Sequence, residues 1–337
     1  MRGVIMHAPG DVRIEDREDP VIIEPTDAII RVAASCICGS DLWPYRGAEP
    51  VDHSPMGHEY VGVVTEIGSD VKNVEIGDFV VGSFFASDNT CEICQAGYQS
   101  RCVHATGLDG TQAEYARIPL ADGTLVATPG QPDADLIPSL LAASDVLGTG
   151  WFAAVAAEAG PGKTVAVVGD GAVGLLGILA ARELGAERII AMSRHADRQA
   201  LAREFGATDI VEERGEAGVA KIKELTGGLG AHSVIEAVGT QESMMQAIRA
   251  TRAGGHVGYV GVSHDVSLDG LELFFSGVHL HGGPAPVRRF LPRLIQLIWD
   301  RTIEPGMVFD LTLPLEQAAD GYAAMDERRA TKVLLTV

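Results

Sequence analysis

Residues 164–174 read TVAVVGDGAVG, an apolar run that leads directly into a glycine-rich turn. The turn has the spacing G-x-G-x-x-G at Gly169, Gly171 and Gly174. With 40 glycines in 337 residues, this spacing should arise by chance roughly once in two such chains. Its position between an apolar strand and a helical stretch is the stronger signal, because a dinucleotide lays its pyrophosphate on the start of that helix. The predicted cofactor-binding residues of the turn are Gly169, Gly171, Ala172, Val173 and Gly174.

The sequence on either side of this turn changes character. From about residue 163 to residue 283, short apolar strands alternate with helical stretches, and VHLHGG (278–283) would be the sixth strand. This alternation predicts a parallel sheet covered by helices on both faces. The first 130 residues instead alternate β-rich runs with glycine and proline, which predicts a mostly β domain. The final KVLLTV has strand character, and we expect it to return to that first domain.

The second strand of the nucleotide unit ends in RIIAMSRHADR (188–198). An acidic residue at this point would bind the ribose hydroxyls of NAD. The sequence has Ser193 at this point, with Arg194 and Arg198 close behind it, and no carboxylate at the strand end itself that would repel a 2′-phosphate. These residues favour NADP over NAD, because the arginine fork pairs with a phosphate. The alternative is that these basic residues are merely solvated at the start of a helix.

A cysteine-rich loop, DNTCEICQAGYQSRC, lies at residues 88–102. Three cysteines at this spacing suit a tetrahedral zinc ion, and a carboxylate can be the fourth ligand. We therefore expect a structural zinc, and the alternative is a reduced loop without metal. The predicted ligands are Asp88, Cys91, Cys94 and Cys102.

Bulk composition excludes several classes of function. The formal charge of −20 argues against nucleic-acid binding, which needs a basic surface. No apolar run is long enough to cross a bilayer, and the charged N-terminus is unlike a signal peptide. We therefore expect a cytoplasmic protein with no membrane partner. In that compartment the five cysteines are expected to be ligands or catalytic groups rather than disulfides.

Four motifs occur in a shared order: CGSDL (38–42), GHEYVG (57–62), the cysteine-rich loop and GDGAVG (169–174). In this order they resemble the zinc-dependent medium-chain alcohol dehydrogenases. The resemblance implies an α/β fold in which a GroES-like β-rich catalytic domain is interrupted by a Rossmann doubly wound parallel sheet. The expected bounds are 1–146 and 284–337 for the catalytic domain and 147–283 for the Rossmann domain.

The resemblance also implies a catalytic zinc held by Cys38, His58 and Asp145, with Glu59 able to join or leave the metal. Such a set leaves one zinc position open for substrate. Ser40 matches the hydroxyl that relays the substrate proton, and Asp41 matches a supporting carboxylate.

Two departures from the family pattern concern the zinc loop and the proton relay. Asp88 stands where the family usually has a cysteine. Trp43 stands where many members have a histidine, so the relay beyond Ser40 would run through water, the cofactor ribose or His53. Cys36 matches no ligand position, and we expect it to be a small buried residue beneath the site.

The function expected from this resemblance is hydride transfer between NADP(H) and an alcohol, ketone or aldehyde, with two zinc ions per chain. The D-x-x-x-T-G form at 145–150 is similar to that of the bacterial branch acting on secondary alcohols. Phe84, Trp43 and Trp151 could line an apolar substrate pocket. The alternatives are a polyol or sugar dehydrogenase of the same fold and a non-catalytic nucleotide-binding protein. The resemblance also implies a homodimer or homotetramer.

Overall fold

The computed structural model describes residues Met1–Val337, and the chain forms two compact units. The catalytic unit comprises Met1–Gly148 and Pro286–Val337, and the nucleotide unit comprises Thr149–Ala285. Both boundaries lie two residues beyond the expected ones. The physical reason is that Gly148 packs directly on Val287, since a Cβ on Gly148 would lie 2.9 Å from that side chain.

The helices and strands follow one another along the chain with few long connections. The strands are β1 (Arg2–Ala8), β2 (Asp11–Asp16), β3 (Ala28–Cys36), β4 (Ser54–Pro55), β5 (Tyr60–Ile67), β6 (Phe79–Gly82), β7 (Phe85–Ala86), β8 (Thr106–Gly107), β9 (Tyr115–Ile118), β10 (Leu125–Ala127), β11 (Thr164–Val168), β12 (Arg188–Met192), β13 (Asp209–Val211), β14 (Ala231–Glu236), β15 (Thr251–Tyr259), β16 (His279–Gly282), β17 (Leu311–Pro314) and β18 (Val333–Thr336). The helices are α1 (Leu42–Tyr45), α2 (Glu92–Gln95), α3 (Ala121–Thr124), α4 (Ile137–Ala143), α5 (Val146–Ala156), α6 (Ala172–Glu183), α7 (Ala196–Phe205), α8 (Gly215–Leu225), α9 (Gln241–Ala250), α10 (Gly270–Ser276), α11 (Val287–Trp299) and α12 (Ala318–Asp326). Single 3-10 turns occur at Gln99–Arg101, Ala134–Leu136, Pro305–Val308 and Leu315–Gln317.

The catalytic unit is built around a seven-stranded sheet of order β10-β6-β5-β3-β18-β17, with β9 also paired to β3. Strand β18 is the predicted returning tail, and it pairs antiparallel with β3 so that Leu334 lies opposite Cys36. The inward faces of these strands carry valine, isoleucine and leucine, which form the core of the unit. This pairing brings the last residues of the chain beside the segment that follows β3.

The nucleotide unit is a six-stranded parallel sheet of order β13-β12-β11-β14-β15-β16. Counted within the unit, this is the order 3-2-1-4-5-6 of a doubly wound dinucleotide-binding sheet. The predicted sixth strand is present as β16. The fold is therefore a GroES-like domain joined to a Rossmann-type parallel sheet, as the sequence predicted.

No single helix is long and apolar enough to span a membrane, although α4 with its preceding turn and α5 together meet the length and composition criteria as a pair bent by 47°.

Candidate functional site

Three of the predicted zinc ligands come from separate segments that the catalytic sheet brings together. Cys38 lies just after β3, and His58 lies just before β5. These strands are antiparallel neighbours, so the end of one meets the start of the other. Asp145 lies between α4 and α5, and the adjacent Ser144 hydroxyl accepts a hydrogen bond from the backbone N–H of Tyr60, at 3.0 Å. That bond ties the α4–α5 junction to the start of β5.

The ligand atoms of this group have the separations that a tetrahedral zinc ion needs. The Asp145 Oδ2 atom lies 3.5 Å from His58 Nε2 and 3.7 Å from Cys38 Sγ. Zinc bonds of about 2.0–2.3 Å set tetrahedral ligand atoms roughly 3.3–3.8 Å apart. One ligand atom from each of Cys38, His58, Glu59 and Asp145 lies within 4.8 Å of the others. A thiolate, an imidazole and a carboxylate therefore fit zinc in both chemistry and spacing.

Asp41 holds this histidine from its other side. Its Oδ1 atom lies 3.6 Å from His58 Nδ1, while Oδ2 accepts the backbone N–H of Cys38 at 3.0 Å. Two buried side chains that the sequence analysis did not identify complete the support: Gln112 Nε2 donates to Asp41 Oδ2 at 3.3 Å, and the Tyr322 hydroxyl donates to Gln112 Oε1 at 3.1 Å. A carboxylate behind a ligand histidine fixes the ring orientation and raises the basicity of the ligand nitrogen.

Negative charge dominates the electrostatics of this group. Burial raises the pKa of the Cys38 thiol, and the charges of Glu59 and Asp145 raise it further. Burial alone would lower the pKa of His58, but Cys38, Asp145 and Asp41 raise it well above its ordinary value. The cluster of Cys38, His58, Glu59 and Asp145 therefore stabilises a positive charge placed among these side chains, and a divalent cation would supply that charge.

The Glu59 carboxylate accepts two hydrogen bonds beneath the candidate zinc ligands. Its Oε1 atom accepts from Lys332 Nζ at 2.6 Å, and its Oε2 atom accepts from the Cys36 thiol at 2.9 Å. Lys332 also donates to the carbonyl of Ile37 at 3.0 Å. Cys36 is therefore a buried residue beneath the site, as expected, and it is also a hydrogen-bond donor. Lys332 was not identified from the sequence. The only feature that marks it there is its position as the charged first residue of the apolar tail KVLLTV.

The remaining predicted residues of the substrate region lie in different surroundings. Ser40 and Trp43 are half-buried in and before α1. Phe84 packs against the imidazole of His58 with ring centroids 6.1 Å apart, so it supplies an apolar wall to the ligand cluster. His53 is 60% exposed and its recorded partners are His7 and Glu15 rather than Ser40. Trp151 is buried in α5 of the nucleotide unit.

The cysteine-rich loop gathers its four predicted ligands into a second cluster. One atom from each of Asp88, Cys91, Cys94 and Cys102 lies within 4.8 Å of the others. The sulfur atoms of Cys91 and Cys102 are 3.9 Å apart, close to the roughly 3.8 Å between two thiolates on tetrahedral zinc. The loop thus fits a closed zinc site in which no position is left for substrate.

Asp88 has a defined role in the shape of that loop. Its Oδ1 atom accepts the backbone N–H groups of Thr90 and Cys91, at 2.7 and 2.9 Å. Its Oδ2 atom lies 2.7 Å from His104 Nδ1. Burial alone would raise the pKa of Asp88, but these hydrogen bonds hold it well below its ordinary value. The side chain is therefore a carboxylate whose anionic oxygen can bind a metal ion. His104 was not identified from the sequence.

The glycine turn of the nucleotide unit has the geometry that a pyrophosphate requires. Gly169 has φ +117°, which favours glycine, and a Cβ on Gly174 would lie 2.0 Å from the carbonyl oxygen of Gly169. A Cβ on Gly171 would meet no protein atom within 4 Å, so this side of the turn is open. Helix α6 begins after Gly171 without a side-chain cap. The first N–H groups of that helix, at Ala172 and Val173, are therefore available to an anion.

The surroundings of Ser193, at the end of β12, differ from the expectation that no carboxylate lies there. The side chain of Asp170, in the glycine turn, occupies this position. Its Oδ2 atom accepts from the Ser193 hydroxyl at 2.8 Å, and its Oδ1 atom lies 3.4 Å from Arg198 and 3.9 Å from Arg214. Residue 170 is 23 positions before Ser193, so only the β11–β12 pairing brings the two together. Arg194 is exposed.

Comparisons with known proteins agree with both units. The family model for the alcohol dehydrogenase GroES-like domain matches residues 24–129, and the model for zinc-binding dehydrogenase matches residues 172–299. The chain is 34% identical to zinc-type alcohol dehydrogenase B of Aspergillus flavus, over 99% of this chain and 81% of the relative. It is 31% identical to an alcohol dehydrogenase of Cupriavidus necator, over 98% and 96%. The solved structure of alcohol dehydrogenase TADH from Thermus sp. ATN1 is similar with a TM-score of 0.91 and 30% identity, over 100% of both chains.

Proposed function

Because this chain belongs to the zinc-dependent medium-chain alcohol dehydrogenase family, we propose that it oxidises small or hydrophobic secondary alcohols with NADP and, in reverse, reduces ketones or aldehydes. The observation that carries the proposal is the convergence of Cys38, His58 and Asp145, with separations that suit zinc and with Asp41 behind the histidine. A non-catalytic nucleotide-binding protein would have no use for this set, so that alternative is disfavoured.

Each group of the proposed site has a chemical task. A zinc ion bound at this site would supply a Lewis acid that lowers the pKa of an alcohol oxygen, and a bound nicotinamide would supply the hydride acceptor. Cys38, His58 and Asp145 would hold the metal, and Asp41 would keep the histidine nitrogen pointed at it. Ser40 would relay the hydroxyl proton of the substrate, accepting it while passing its own proton on to water, the cofactor ribose or His53. Phe84, packed on His58, would exclude water from one side of the reacting groups.

The cofactor half of the proposal rests on the glycine turn and on the charges at the end of β12. The open side of Gly171 and the uncapped start of α6 suit a pyrophosphate. Arg194, Arg198 and Arg214 give this region positive charge that suits a 2′-phosphate. Asp170 carries the opposing charge beside Arg198 and Arg214.

The structural zinc is a separate part of the proposal. Asp88, Cys91, Cys94 and Cys102 would hold it, which gives two zinc ions per chain. The short helix α2 and the loop around it bury little apolar surface, so a metal would be their main cross-link.

A zinc count combined with a substrate panel tests the proposal. The purified enzyme is expected to contain two zinc ions per chain by elemental analysis and to reduce NADP with secondary alcohols. Cys38→Ala should lower the zinc content to about one and abolish alcohol-dependent NADPH formation. Cys36→Ala is the matched control, because it removes a neighbouring thiol that is no ligand, and it should retain two zinc ions.

Two outcomes would contradict the proposal. Full turnover in the Cys38→Ala variant would exclude the proposed catalytic zinc. Faster oxidation of sorbitol or another polyol than of any simple secondary alcohol would favour the polyol alternative. The homodimer or homotetramer and the cytoplasmic location stay predictions, which light scattering and cell fractionation would test.

A further inference from the structure

The carboxylate of Asp170, in the glycine turn, points at the position where cofactor choice is made. In a doubly wound nucleotide fold, the end of the second strand faces the adenosine ribose and any phosphate on its 2′-oxygen. Asp170 reaches this position from the preceding turn and binds the Ser193 hydroxyl at 2.8 Å. Its side chain is only 12% exposed, so the contact is well defined.

The same carboxylate is paired with the cations that a phosphate would need. Arg198, from α7, lies 3.4 Å from Asp170 and is 15% exposed. Arg214, at the start of α8, lies 3.9 Å from the same oxygen. A 2′-phosphate binding here must compete with an anion that is covalently part of the chain. Arg194 is exposed two residues before α7 begins.

We propose that Asp170 is a specificity-determining residue that acts as the internal counter-anion of the 2′-phosphate site. The inference rests on the proposed dinucleotide binding. By neutralising Arg198 and Arg214, the carboxylate weakens binding of a 2′-phosphorylated cofactor and leaves the unphosphorylated cofactor almost unaffected. The enzyme therefore binds both NADP(H) and NAD(H), with a preference smaller than its three arginines alone would produce.

Asp170→Asn tests this role with little structural change. The amide oxygen still accepts the Ser193 hydroxyl, while the negative charge is removed and Arg198 is released. Dissociation constants for NADPH and NADH are measured on the zinc-loaded protein by nicotinamide fluorescence, and adenosine 2′,5′-bisphosphate is the competing probe without nicotinamide. NADPH and the bisphosphate should bind about five- to tenfold more tightly, since one unit charge near a phosphate is removed from a partly shielded site. The NADH constant should stay within about twofold.

Two control variants separate this effect from a general change in charge. Asp197→Asn removes the same charge from an exposed position in the first turn of α7, and it should leave both constants within about twofold because exposed charges are screened. Arg198→Met should weaken NADPH binding about tenfold and spare NADH. If the Asp170→Asn protein fails to fold by circular dichroism, Asp170→Ser replaces it with the same expected direction.

The inference is overturned if removing the Asp170 charge changes the NADPH-to-NADH ratio of dissociation constants by less than twofold. It is also overturned if NADH binding weakens while NADPH binding is unchanged, because Asp170 would then bind the ribose hydroxyls. A wild-type protein that binds both cofactors but oxidises no alcohol would contradict the proposed function alone. Full turnover with an unchanged ratio would contradict this inference alone.

Discussion

Replacing Lys332 with methionine should destabilise the catalytic unit more than any exposed substitution. Its ammonium group lies 2.6 Å from Glu59 Oε1, and the two side chains are 1% and 0% exposed. It also donates to the carbonyl of Ile37. Methionine has a similar length and fills the same space, so the main effect is to leave the Glu59 carboxylate buried with only the Cys36 thiol as donor.

The size of the effect follows from this burial. Removing one partner of a buried ion pair costs about 3–5 kcal/mol, because the remaining charge loses its compensation. Burial alone would lower the pKa of Lys332, but the charges of Cys36, Glu59 and Cys38 raise it well above 10.5. A group whose folded pKa is raised contributes its full stability below the unfolded pKa, and that contribution is lost as the pH rises from the unfolded pKa through the folded one. The difference in free energy of unfolding between the wild type and the variant should therefore be constant from about pH 6 to pH 9.

Urea unfolding of the zinc-loaded protein measures this deficit, and a double-mutant cycle identifies its source. Lys332→Met should lower the free energy of unfolding by about 3–5 kcal/mol, which corresponds to roughly 6–20 °C in Tm for a unit of this size. Adding Glu59→Gln removes the uncompensated charge and should restore at least about 1.5 kcal/mol. A loss below about 1 kcal/mol, or a double variant no more stable than the single one, would refute the reasoning.

Four further substitutions test other parts of the structure. Gly171→Ala should fold normally but bind NADPH at least about tenfold more weakly, because the added methyl group enters the open side of the turn. Gly174→Ala should instead lower the free energy of unfolding by more than about 2 kcal/mol, since its Cβ would lie 2.0 Å from a backbone oxygen; equal stability of the two variants by thermal unfolding would contradict this pair. Cys91→Ser should retain only the catalytic zinc by elemental analysis and expose the loop to limited proteolysis, whereas two zinc ions in the variant would exclude the proposed loop ligand. Arg188→Met should lower the free energy of unfolding by about 0.5–1 kcal/mol at pH 7, because its ion pair with Asp209 is partly exposed. Arg188 lowers the pKa of Asp209, so urea titrations should show this loss shrinking as the pH falls towards 3. A loss that does not change with pH would be evidence against the ion pair.

Local patterns were sufficient for much of the fold and for the individual candidate ligands. The apolar strand before Gly169 and the helix after it identified the nucleotide unit, because strand, turn and helix are contiguous in sequence. The cysteine spacing likewise indicated a metal loop, since its ligands all lie within one short segment. The exact domain bounds stay a prediction, because contacts such as the packing of Gly148 on Val287 leave no trace in the local sequence.

The charged and polar residues that support the predicted ones could not be found in this way. Lys332 lies 273 positions from Glu59, and Tyr322 lies 210 positions from Gln112. Each is unremarkable in its own segment, and only the pairing of β18 with β3 brings the lysine under the site. Asp170 stands at an unspecified position of the G-x-G-x-x-G motif, so no local pattern marks it, and its contact with Ser193 changes the interpretation of cofactor choice.

The amino-acid sequence by itself determined the class of fold, the family and the types of side chain available for zinc and nucleotide. These properties depend on periodicity and on short-range spacing, which are properties of contiguous residues. Only the tertiary structure decided which charged and polar groups face one another: the lysine that compensates Glu59, the glutamine and tyrosine behind Asp41, and the carboxylate beside Arg198 and Arg214. The reason is physical, because an electrostatic interaction depends on distance and burial in space, and the folded sheets bring together groups that the chain keeps far apart.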